Sequence, residues 1–159
     1  MTRFSIELLT KRCLLMKFFI EEVLTSEEAS LYFDVNPKTL RGAFYGWHGK
    51  ESPFKNNEIR KSGSTILFTI RGLQRLYMQK QGIPIKSKKK YSFLDIMTPK
   101  EASSIFGVTP ALIRFYCKGT VINGITYPPK LKEYEYRKSG NILLVALPAL
   151  RRILSTKCI

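Results

Sequence analysis

The chain has 159 residues, with 27 Lys/Arg against 12 Asp/Glu, a net charge of +15 and a pI near 9.9. That balance favours a polyanionic partner, while one histidine and three cysteines (Cys13, Cys117 and Cys158) exclude most zinc-finger, His-based catalytic and secreted disulfide schemes. No stretch of about 18 uncharged apolar residues is present, and Glu7, Lys11, Arg12 and Lys17 interrupt the apolar N-terminus, so a cytoplasmic protein with reduced cysteines is expected.

Ile6, Leu9, Cys13 and Met16 follow a helical spacing and predict a short helix before the first regular unit. Thr25 then opens a clear helix. With Glu28 three residues on it forms a capping box, and Ala29, Tyr32 and Phe33 make an apolar face. A tight turn, Phe33-Asp34-Val35, follows, with Asp34 as a candidate left-handed cap. Asn36 as N-cap and Pro37 at the first position begin a second helix. Leu40 and Phe44 should face inward, leaving Lys38, Thr39, Arg41, Gly42 and Tyr45 outward. After a loose stretch comes a hairpin, NEIR-KSGS-TILFTI, and a short helix from Arg71. Gly82, Pro84 and the basic run of Lys86, Lys88, Lys89 and Lys90 read as a linker.

The same order then returns. Leu24–Gly46 and Met97–Gly119, offset by 73 residues, are identical at nine of 23 positions, including Thr25/Thr98, Glu28/Glu101, Ala29/Ala102, Val35/Val108, Pro37/Pro110, Arg41/Arg114 and Gly46/Gly119. RKSG at Arg60–Gly63 recurs at Arg137–Gly140, offset by 77. The expected organisation is an N-terminal extension (1–16), a first unit (17–81), a basic linker (82–90) and a second unit (91–159). Through Gly82 the charge is 13 Lys/Arg against 8 Asp/Glu; from Ile83 it is 14 against 4. Residues 120–130, TVINGITYPPK, read as loose chain.

Helix, short turn with an apolar Val, helix is the helix-turn-helix pattern. The run T-x-x-E-A-S-x-x-F-x-V-x-P-x-x-[LI]-R, with the basic hairpin and short helix behind it, resembles the winged helix-turn-helix of the MerR and excisionase group over about 55 residues of each copy. The resemblance implies an α+β, mainly helical fold of two tandem winged units, and double-stranded DNA as the partner. The second helix would enter the major groove and the wing would touch backbone or minor groove. By that similarity Lys38, Thr39, Arg41 and Tyr45, and Ala111, Leu112, Arg114 and Lys118, are the groove residues. Arg60, Lys61, Ser62, Arg137, Lys138 and Ser139 are the wing contacts, with Lys88 and Lys89 of the linker beside them. The chain shows neither the long coiled-coil helix nor the effector site of the MerR type. That favours an excisionase-like accessory factor, with a recombinase or other DNA-bound protein as partner, or a small regulator of a mobile element or phage. A replication or partition protein, an RNA-binding module and a protein-interaction adaptor stay open as alternatives.

Tyr134, Tyr136, Phe18, Phe19 and Phe93 could stack on single-stranded bases, but their apolar neighbours place them in the core. Leu112 and Phe115 are unusual residues for a groove-facing surface and suggest contact with protein. Paired carboxylates and Gly-rich phosphate loops are lacking, so no catalytic residue, metal or cofactor is expected. The protein should be a monomer or weak homo-oligomer that does not engage membranes.

Overall fold

The computed structural model describes residues 16–46 and 49–154. The helix expected before Met16, and Cys13, Trp47, His48 and Cys158, lie outside these residues. The first copy runs β1 (Lys17–Phe19), a 3-10 turn (Ile20–Glu22), β2 (Val23–Thr25), α1 (Ser26–Tyr32), α2 (Pro37–Tyr45), β3 (Ile59–Ser62), β4 (Thr65–Thr69) and α3 (Ile70–Leu76). The second repeats it with β5 (Lys90–Ser92), a 3-10 turn (Phe93–Asp95), β6 (Ile96–Met97), α4 (Pro99–Phe106) and α5 (Pro110–Lys118). An added hairpin follows, β7 (Thr120–Ile122) and β8 (Ile125–Tyr127), then β9 (Tyr136–Ser139), β10 (Ile142–Ala146) and α6 (Leu147–Leu154). The chain is α+β. Ten strands accompany six α-helices among the described residues, so strand carries more of the fold than the mainly helical expectation held. No helix among them is long and apolar enough to cross a membrane.

Local chemistry accounts for the helix limits. Thr25, Asn36, Thr98 and Thr109 each accept a backbone N–H of the first turn, and Pro follows at the start of α2, α4 and α5. Gly107 closes α4 in the left-handed conformation at φ 65°. Asp34 does not play that part in the first copy. Phe33 ends α1 in an extended conformation and bridges Gln79, while Asp34 N donates to Met78 O at 3.3 Å. The chain behind α3 thus supplies the partners that a left-handed cap would have supplied.

Each copy forms a three-stranded antiparallel sheet, β2-β4-β3 and β6-β10-β9. The central strands are buried at Leu67 and Phe68, and at Leu144 and Val145. The two copies also pair directly. In the β1–β5 ribbon Phe18 stands opposite Tyr91, its own counterpart one repeat along, with Lys17 opposite Ser92 and Phe19 opposite Lys90. A strand facing its own repeat in antiparallel register defines a local two-fold axis. Buried residues follow the same logic. Leu24, Ala29, Phe33, Leu40 and Phe68 centre one core, whereas Phe18, Ile20, Val23 and Leu67 join the second copy's core around Ile96, Ala102, Ile113 and Leu144. Hydrophobic burial therefore runs across the linker rather than stopping at it. Phe18 and Phe93 are core residues, as expected.

Candidate nucleic-acid interface

Strand periodicity decides what the two RKSG turns do. Alternate residues of β3 point to opposite faces, so Arg60 and Ser62 share one face and Lys61 takes the other; Arg137, Ser139 and Lys138 repeat this. The Arg/Ser face is turned to the other copy. Arg60 donates from Nη1 to both Glu101 oxygens (2.9 and 3.0 Å), from Nη2 to Ile96 O (2.6 Å) and from Nε to Phe93 O (3.2 Å). Arg137 makes the matching contacts in the other direction, donating from Nη1 and Nη2 to the two Glu28 oxygens (2.8 and 2.7 Å), from Nη2 to Val23 O (2.7 Å) and from Nε to Ile20 O (2.8 Å). The serines lie inside the predicted capping boxes. Thr25 N donates to Ser139 Oγ at 3.0 Å and Thr98 N to Ser62 Oγ at 2.9 Å, while each serine hydroxyl donates to the box glutamate, Glu28 or Glu101. Each box is thus closed through a residue of the opposite copy. The side chains of Arg60, Ser62, Arg137 and Ser139 are in this contact, and not at projecting wing tips as the resemblance implied. Within each RKSG run the exposed side chain is the lysine, Lys61 or Lys138.

The second helices keep an outward face. Lys38, Tyr45, Ala111, Arg114 and Lys118 are exposed and Thr39 and Arg41 half-buried, while Leu40, Ile113 and Cys117 are fully buried. Burial pushes the Cys117 thiol up to about 12. Leu112 and Phe115 pack on the second core, and Phe115 lies 6.0 Å from the Tyr127 ring of β8. They are half-buried supports of α5 rather than a free groove surface. The β7–β8 hairpin replaces the expected loose chain. Its Asn123-Gly124 turn, both with positive φ (52° and 78°), was the signal available in the sequence.

The two arginines shared by the repeats sit in different surroundings. Arg41 Nη1 donates to Glu27 Oε1 at 2.6 Å and to Ser26 Oγ at 2.9 Å. Burial works to raise the Glu27 carboxyl, but hydrogen bonds from Ser26 and its own backbone, and the Arg41 charge, outweigh it and hold it below the usual value. In the second copy the residue at that place is Lys100. Arg114 is exposed, in no ion pair among the described residues. In the linker, Lys88 and Lys89 are exposed, and Lys89 Nζ lies 5.5 Å from the Tyr91 ring centre. Glu21 Oε1 accepts from the backbone N–H of Lys86 and Ser87 at 3.2 and 2.9 Å, which ties the basic run to the first copy.

Two ion pairs that the sequence reading did not single out brace both hairpins. Arg75 reaches Glu58 at 2.5 Å, and Arg152 reaches Glu135 at 2.6 Å. The same 77-residue offset that relates the RKSG turns relates these residues, so the repeat itself was their signal. Among the described residues no group of three or more His, Cys, Asp or Glu could hold a metal.

A family model described as a helix-turn-helix domain matches residues 16–82 and again residues 88–157. No curated protein and no solved structure matches the chain.

Proposed function

The chain belongs to this helix-turn-helix domain family, and from that premise we propose that it binds double-stranded DNA through both second helices, α2 and α5. The observation that carries the reading is the outward face that these two helices retain: Lys38, Arg41 and Tyr45 on α2, and Ala111, Arg114 and Lys118 on α5, while their opposite faces are packed in the cores. Lys61, Lys138, Lys88 and Lys89 add exposed cations for phosphate contacts. The two-fold pairing of β1 and β5 supports a pseudo-dimer made by one polypeptide. Two heads on one chain gain avidity without dimerisation, and heads on one duplex face would read half-sites about 10 bp apart. The outward residues differ between the copies, so the half-sites differ in sequence.

The biological role we assign is that of an excisionase-like recombination accessory factor or small transcriptional regulator of a mobile element or phage, acting in the cytoplasm on the nucleoid. The domain limits that go with it are a first unit at 17–81, a linker at 82–90 and a second unit at 91–159. The exposed apolar residues Val121, Ile122 and Ile125 of the β7–β8 hairpin favour a second activity beside DNA binding, contact with a DNA-bound protein such as a recombinase.

Selection of bound sequences from random duplex DNA, followed by salt titration of the winner against scrambled DNA, tests this. One motif of two unequal halves is the expected result. Binding without a motif but with a steep salt dependence would leave only electrostatic attachment, and no binding at all would end the DNA reading.

A further inference from the structure

A cleft of about 220 Å³ lies beside α5. It is lined by Lys100, Arg114, Lys118 and Lys138 of the second copy, and by Ser64 and Thr65 at the tip of the first copy's hairpin. No carboxylate lines it, and none of the four cations is in an ion pair among the described residues. Four cations gathered without a counter-charge repel one another unless an anion sits among them.

Both copies build the cleft. The first copy's turn at Gly63 runs under Lys100: a Cβ at Gly63 would meet Lys100 Cδ at 3.1 Å, so the glycine lets the lysine stem lie on the hairpin tip. Lys100 itself stands in the first turn of α4, whose N-terminal end adds positive potential. The two-fold mate of the cleft is chemically different. The counterparts of Lys100, Arg114, Lys118 and Lys138 are Glu27, Arg41, Tyr45 and Lys61. Two cations remain there against one acid, and that acid holds Arg41 in an ion pair at 2.6 Å. Gly140 lies under Glu27 as Gly63 lies under Lys100, with 3.3 Å from an added Cβ to Glu27 Cβ. The scaffold of the site is therefore duplicated, and its charge is not.

We infer that the cleft formed by Lys100, Arg114, Lys118 and Lys138 against the Ser64–Thr65 turn is the site that grips backbone phosphates of a DNA duplex, and that Glu27 cancels the same site in the first copy. The inference rests on the duplex-DNA reading above. It makes the protein an asymmetric clamp. The second copy anchors the backbone, while the first, with little charge to hold it, contributes chiefly through its helix face.

The test is equilibrium binding of the full chain to a mixed-sequence duplex two helical turns long, across a salt series. Reciprocal substitutions exchange the charge between the copies: Lys100→Glu gives the second copy the first copy's residue, and Glu27→Lys does the reverse. Lys118→Ala removes a second cleft cation. Lys132→Glu, an exposed residue at the opposite end of the β9–β10 hairpin from its tip, serves as the charge-matched control. An acidic residue in the first turn of α4 suits the helix, so Lys100→Glu should leave the thermal midpoint unchanged. The slope of log affinity against log salt should become shallower by about one for Lys100→Glu and for Lys118→Ala, and steeper by about one for Glu27→Lys. Lys132→Glu should leave it unchanged. If the wild type binds duplex but Lys100→Glu and Lys118→Ala behave like Lys132→Glu, the cleft assignment fails and the DNA reading survives. If the wild type binds no duplex, both fall together. Displacement of the duplex by equimolar pyrophosphate would make a free phosphate compound the ligand and overturn the assignment to DNA.

Discussion

Arg137 of the second copy holds Glu28 of the first through two charged hydrogen bonds of 2.8 and 2.7 Å, with both side chains largely buried. Removing one partner of such a pair leaves a buried charge uncompensated and costs about 3–5 kcal/mol. Arg137→Ala would also free the carbonyls of Val23 and Ile20. Both Arg137→Ala and Arg60→Ala should therefore lower unfolding free energy by about that amount in urea titrations. A loss no greater than that of an exposed arginine would mean that the guanidiniums are not locked between the copies.

The copies should not fold apart. Residues 16–82 alone lack the serine that closes the Thr25 cap and the arginine that neutralises Glu28, and residues 88–157 alone lack Phe18, Ile20 and Leu67 from their core. Each fragment is also of a size at which a single core is marginal. Neither should show a cooperative thermal transition by circular dichroism, in contrast to the full chain. Sharp melting of both fragments at the temperature of the whole would contradict the shared core.

Acid should loosen both hairpins together. At Glu58 and Glu135 burial raises the carboxyl pKa, but the Arg75 or Arg152 hydrogen bonds and the backbone N–H of Lys55 or Lys132 outweigh it, so both lie below the ordinary value. The unfolded chain, with its glutamates near 4.3, takes up these protons first as pH drops. The stabilisation is therefore fully present above about pH 4.3 and is lost as pH falls through the lower folded values. Glu135→Gln, which cannot titrate, should flatten the stability curve below pH 5 in pH-dependent urea unfolding. An unchanged acid limb would remove this residue from the linkage.

Gly119→Ala should be costly for two independent reasons. Gly119 has φ 67°, and an added Cβ would lie 2.4 Å from Tyr127 O, a backbone atom that cannot step aside. Gly46, the same place in the first copy, meets Lys50 O at 2.2 Å. Left-handed strain alone is worth about 1–3 kcal/mol, and the close approach adds to it. Thermal midpoints of the two alanine variants should both drop, whereas Gly124→Ala, strained at φ 78° but with open space around it, should fall less.

The two helix arginines should not be equivalent in binding. Arg114 is exposed, while Arg41 must give up Glu27 and Ser26 before it can reach a base or phosphate. Arg114→Ala is expected to weaken binding more than Arg41→Ala and about uniformly across duplex sequences, as the loss of a phosphate contact in the cleft does. Arg41→Ala should instead relax one half of the selected motif. A motif relaxed in one half by Arg114→Ala would move that arginine from the phosphates to a base.

The duplication, the helix starts at Thr25, Asn36, Thr98 and Thr109, the left-handed Gly107 cap and the turn at each KSG were all legible in the sequence. Their causes are local: a cap, a proline or a glycine acts within a few residues and needs no distant partner. The excess of Lys and Arg was equally plain, because composition needs no geometry. What the chain of letters could not settle was where the shared residues face. Arg60 and Ser62 read as wing contacts until Glu101, 41 and 39 residues away, takes them. Asp34 read as a cap until the chain behind α3 bonded to its backbone. Arg41 and Arg114 are the same letter in the same motif, and the neighbour across the turn, Glu27 or Lys100, separates a paired guanidinium from one in no ion pair among the described residues. A hydrogen bond or ion pair depends on which groups come within about 3–4 Å, and for residues so far apart along the chain only the two-fold packing of the copies brings them that close.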